Sequence, residues 1–79
     1  MKVDYLVTMA NQIADFFVSE AGPDAAPREI ASHMTKFWDP RMRAQMIAHA
    51  SAGGAGLQPE ALAAARMLQP PAGAASAAG

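Results

Sequence analysis

The chain has 79 residues, no cysteine, a formal net charge of −1 and an isoelectric point near 6.0. That length holds one small domain, which buries only about 60% of its unfolded surface; the missing cysteine excludes disulfides and thiolate metal sites, and the near-neutral charge argues against a general nucleic-acid binder. Hydrophobic residues make up 52% of the sequence, yet nearly half of them are alanines that bury little surface each, so of the usual supports for so short a domain only oligomerisation remains open.

No run approaches the roughly 18 apolar residues of a membrane-spanning helix, and the N-terminus lacks a charged-then-apolar leader pattern. A cytoplasmic protein without membrane attachment is expected. The larger apolar side chains lie almost entirely before Ala48, with Leu57, Leu62, Met67 and Leu68 the exceptions. The first two thirds of the chain are therefore expected to supply the packing.

Val3, Leu6, Ala10, Ile13 and Phe17 recur at three- and four-residue steps, the helical period. Val7, Ala14 and Val18 widen this face, while Met9 and Phe16 fall elsewhere on the helix. A helix apolar on more than one side is usually covered on more than one side, which points its second side at a partner. The run Glu20-Ala21-Gly22-Pro23-Asp24 ends this helix, because Gly suits a C-terminus and Pro cannot continue the ladder.

A second helix is predicted from about Pro27, a favourable first-turn residue, with Ile30, Met34 and Phe37 as its stripe and His33 alongside. Phe37-Trp38-Asp39-Pro40-Arg41-Met42-Arg43 then sets the only Trp beside a helix-starting Asp-Pro and two arginines. Pro40 disfavours the helical conformation at Asp39, so the second helix is predicted to stop near Trp38. The Asp39 carboxylate can cap a third helix, with Pro40 where no N–H is needed. This third helix should run to about Ala50 and bury Met42, Met46 and Ile47.

Gly53-Gly54-Ala55-Gly56 reads as a flexible joint. Gln58-Pro59-Glu60 can start a fourth, Ala-rich helix to about Leu68, whose large apolar residues are too sparse for a strong seam; a helix this short is marginal unless docked. The expected architecture is all-α: a small three-helix bundle in residues 1–51, a Gly-rich linker at 52–58, a candidate fourth helix at 59–68 and a Pro/Ala/Gly/Ser tail at 69–79 expected to be disordered.

Chemistry-bearing residues are few. His33 and His49 sit on different predicted helices without metal-ligand spacing. Asp4, Asp15, Asp24 and Asp39 are scattered, and capping or solvation accounts for them better than paired acid/base catalysis. The glycine tract has neither a Lys nor a preceding strand, so it is no phosphate loop. Met34, Met42 and Met46 read as core, Met9 as core or groove. Phe16, Phe37 and Trp38 are more aromatic bulk than a three-helix core easily hides, and aromatics with Arg are enriched at interface hot spots.

Leu6-Val7-Thr8-Met9-Ala10-Asn11-Gln12-Ile13-Ala14-Asp15-Phe16-Phe17, followed by Ile30-Ala31-Ser32-His33-Met34 and Phe37 to Arg43, resembles the delta subunit of soluble NAD-dependent formate dehydrogenases. The resemblance covers about Val3 to Ala50; the Ala/Gly/Pro-rich remainder carries little family signal. It implies a non-catalytic accessory subunit of a cytoplasmic bacterial hetero-oligomer that oxidises formate to carbon dioxide and reduces NAD. In such complexes the alpha subunit holds a molybdenum or tungsten bis-MGD cofactor and iron–sulfur clusters, and the beta and gamma subunits carry electrons to FMN and NAD. This chain itself would hold no cofactor, in keeping with its lack of thiolates.

On the matched blocks, Asn11, Gln12, Phe16, Trp38, Arg41 and Arg43 are the expected partner contacts, with Asp39 and Pro40 holding the corner. Asn11 and Gln12 are polar on a largely apolar helix and need hydrogen-bond partners if covered. The competing reading is a self-associating helical regulatory module unrelated to formate oxidation. It would form a dimer by itself and, if a transcriptional regulator, show salt-dependent DNA binding.

Overall fold

The computed structural model describes residues 2–70, which form four helices: α1, Val3–Ala21; α2, Ala26–Phe37; α3, Pro40–Ser51; and α4, Pro59–Met67. Of the tail expected at 69–79, residues 71–79 lie outside the described residues. α1 ends at Gly22, whose φ of +85° suits a residue without Cβ. Its N–H donates to the Val18 carbonyl at 3.0 Å. The short turn at Pro23 to Ala25 reverses the chain, and α2 begins with Pro27 in its first turn.

The second corner forms as the Asp-Pro pair requires. Trp38 and Asp39 are extended, with ψ of 139° and 166°, and the Asp39 carboxylate accepts from the Met42 N–H at 2.9 Å. Asp39 is thus a working N-cap, and Pro40 is the first helical residue. Asp39→Ala is expected to cost about 1 kcal/mol and to lower the melting temperature by about 4–8 °C. A thermal unfolding curve checks this, and an unchanged midpoint would deny the cap its role.

The largest fully buried side chains are Leu6, Ile30, Met34 and Met46, one or two from each of the first three helices. Each stabilises by about 1.5–3 kcal/mol. Between them lies a seam of alanines: Ala10 and Ala14 on α1, Ala26 and Ala31 on α2, Ala50 on α3, and Ala61, Ala64 and Ala65 on α4. These contribute proximity more than area, since small residues let helix axes approach closely.

The expectation that the first two thirds alone supply the packing is therefore corrected. α4 packs against all three other helices, most extensively against α2, and brings Leu68 into the core as well. A search for large apolar residues misses a helix whose buried stripe is Ala61, Ala64, Ala65 and then Leu68, spaced at three and four residues.

Residues 52–58, which composition suggested as a free joint, are fastened to the helices around them. The Asn11 side chain donates from Nδ2 to the Gly56 carbonyl at 2.9 Å and accepts at Oδ1 from the Gln58 N–H at 2.9 Å. Gln58 Nε2 donates to Asp15 Oδ1 at 3.0 Å, and His49 Nε2 bonds the Ala55 carbonyl at 2.8 Å. At buried Gly54, with φ +67°, an added Cβ would meet Leu62 Cδ1, so any other residue there would strain the backbone and displace the Leu62 side chain.

Asn11→Ala would leave the Gln58 N–H and Gly56 carbonyl without their partner. It is expected to cost about 1–3 kcal/mol. Faster hydrogen exchange at the Gln58 amide, together with a lower melting temperature, checks it. Protection equal to the native chain's would contradict the clamp.

Candidate functional site

α1 and α2 pack against each other across the turn at residues 22–25, and their outer faces leave an open groove of about 480 Å³ lined by Met9, Gln12, Ile13, Phe16, Phe17, His33, Phe37 and Trp38. The helical period explains the membership. Met9, Gln12, Ile13, Phe16 and Phe17 follow one another at three- and four-residue steps beside the buried Leu6-Ala10-Ala14 stripe. On α2, His33 and Phe37 are one turn apart on the facing edge.

A string of rings crosses this groove. Phe16 and Phe17 meet edge to face at 5.0 Å, Phe17 and His33 at 6.0 Å, and His33 and Phe37 are tilted at 4.8 Å. Such pairs are worth about 0.5–1.5 kcal/mol each beyond burial, so the rings hold one another in place. Phe16 and Phe37 nonetheless remain 59% and 72% exposed. Two large rings standing in water at the rim of an apolar groove are what a protein-docking surface displays.

The six residues nominated from sequence divide in this structure. Phe16 and Gln12 face the groove. Arg41 is exposed just past the corner. Asn11 is committed to the loop clamp, and Arg43 turns inward, its Nη1 donating to the Trp38 carbonyl at 2.6 Å and reaching the Thr35 carbonyl at 3.5 Å. Trp38 forms part of the groove floor but is only 4% exposed; it is a core residue. Asp39 and Pro40 hold the corner as expected.

Phe37, expected on the stripe of the second helix and also among the aromatics a small core would not hide, is exposed, whereas Trp38, expected as a partner contact, is buried. The stripe Ile30, Met34, Trp38 continues at four-residue steps, carrying the larger ring inward at the helix end. Phe37, one residue earlier, is rotated to the rim. The unbroken four-residue spacing was the signal available in the sequence. His33, expected alongside the stripe of the second helix, is half-buried and held between the rings of Phe17 and Phe37.

Among the described residues, no group of three or more His, Cys, Asp or Glu side chains could hold a metal, and no helix is long and apolar enough to cross a membrane. The fold and groove define a small helical domain with an open, largely apolar groove between α1 and α2. A family model described as the NADH-dependent formate dehydrogenase delta subunit FdsD matches residues 5–65. The chain belongs to that family. The match continues through the glycine loop and most of α4, past the Ala50 limit of the sequence resemblance, as expected if that loop and helix are integral to the domain. Comparisons with curated proteins and with solved structures each returned no match.

Proposed function

We propose that this chain is a non-catalytic accessory subunit of a cytoplasmic NAD-dependent formate dehydrogenase, docking through the α1–α2 groove onto the subunit that bears the molybdopterin cofactor. The observation that carries the reading is the exposed pair Phe16 and Phe37 on an aromatic groove, in a chain of the delta-subunit family. Formate oxidation and NAD reduction belong to the other subunits: alpha with a molybdenum or tungsten bis-MGD centre and iron–sulfur clusters, beta and gamma with the path to FMN and NAD.

The mechanism is stabilisation by binding. A subunit that binds only the folded, cofactor-loaded partner shifts that partner's equilibrium by about 2.7 kcal/mol at a hundredfold excess over Kd, without touching formate. Binding an earlier, cofactor-accepting state would instead make it a maturation factor. Molybdenum, tungsten and pterin contents of the complex, produced with and without this chain, test the proposal. Lower cofactor occupancy or faster cofactor loss without the chain is the expected result. Identical occupancy, half-life and assembly would refute it.

A further inference from the structure

The charges around the groove are sorted by sign along its length. At the end where α1 finishes and α2 begins stand Glu20, one turn beyond Phe16, and Glu29, one turn before His33, both exposed. At the other end stand Lys2 ahead of α1, Lys36 beside Phe37, and Arg41 past the corner, also exposed. Opposite charges at these ends do not blur the pattern. Asp39 keeps its charge but spends it on the N-terminus of α3, whose partial positive charge offsets part of it, and the helical period turns Asp4 and Arg28 away from the groove stripes. An apolar trough with an acidic end and a basic end complements one kind of object well: a helix, whose N-terminus carries partial positive and whose C-terminus partial negative charge.

We propose that the groove receives a single amphipathic helix of a partner subunit, lying parallel to α2, with its N-terminus at Glu20 and Glu29 and its C-terminus at Lys36 and Arg41. This rests on the accessory-subunit reading and adds to it the shape, chemistry and direction of what is bound. The occupant presents bulky aliphatic side chains at i, i+3 or i+4, and i+7 to the rings of Phe16, Phe17 and Phe37, the helix-in-groove mode of recognition. Met9, unbranched and adaptable, fits the last of these. Basic residues in its first turns and acidic residues in its last complete the match.

The test is site-specific photocrosslinking in the assembled complex, with the full chain carrying a photoreactive benzoylphenylalanine at Phe16 or at Phe37. Both replacements keep a ring at an exposed position. Links from both sites are expected on one partner segment, with the residue reached from Phe16 earlier in that segment than the one reached from Phe37. Glu20→Lys combined with Glu29→Lys is expected to reduce recovery of the complex about fivefold at low salt and less at high salt. The reverse order of links, links to two unrelated segments or to a second copy of this chain, or full recovery of the charge-reversed variant would overturn the inference while leaving the accessory role standing. A chain that never enters the complex would overturn both.

Discussion

Replacing Trp38 by alanine is expected to remove a large part of the domain's stability. The indole is 4% exposed and belongs to the buried cluster that holds Ile30, Met34, Met46 and the alanines, so truncating it would open that cluster to the groove above. Truncating a buried Trp costs about 3–5 kcal/mol. At about 0.05–0.15 kcal/mol per residue, a chain of 79 residues has about 4–12 kcal/mol in total, so the loss takes a large part of it. The melting temperature should fall by at least about 12 °C, with loss of helical circular dichroism near body temperature. Arg41→Ala, at an exposed position, should shift stability by no more than about 0.5 kcal/mol. A Trp38→Ala chain that melts normally yet fails to assemble would show the indole to be a direct contact instead.

The opposite behaviour is expected of the rim. Phe16→Asp with Phe37→Asp removes two rings that are already more than half in water, so the core is not opened. The fold loses only the Phe16–Phe17 and His33–Phe37 ring contacts, about 0.5–1.5 kcal/mol each. Docking loses far more, because a carboxylate would have to be desolvated where each ring was. Hot-spot truncations cost at least about 2 kcal/mol each, so affinity for the partner should drop by two orders of magnitude or more. Circular dichroism and pull-down from the same preparation separate the two effects. Native helicity with native recovery would exclude this face as the docking surface.

Corners were legible in the sequence because they depend on local chemistry. Gly22-Pro23 and Asp39-Pro40 act through their own backbone restrictions, and both breaks stand within a residue or two of where those restrictions place them. The importance of α4 was not legible. Its contribution is close approach through Ala61, Ala64 and Ala65, and alanine is too small to announce a face. The Asn11 clamp was hidden for a different reason: it spans 45 residues to Gly56, and no local pattern marks a pairing that only the closed fold creates.

The groove was half legible. Phe16 and Met9 were visible as apolar residues off the main stripe of the first helix, which is where they line the groove. The second wall was misread by one residue. A helix end offers two adjacent aromatic positions 100° apart, and only the packing of Ile30, Met34 and Trp38 decides which of them turns inward.

The most direct test of the account is co-expression of the tagged chain with the remaining formate dehydrogenase subunits, followed by pull-down and native mass spectrometry. A stoichiometric complex containing the molybdopterin-bearing subunit is the expected result, lost when Phe16 and Phe37 are both replaced by aspartate. Recovery of the chain alone, or as a self-associated dimer indifferent to those subunits, would contradict it.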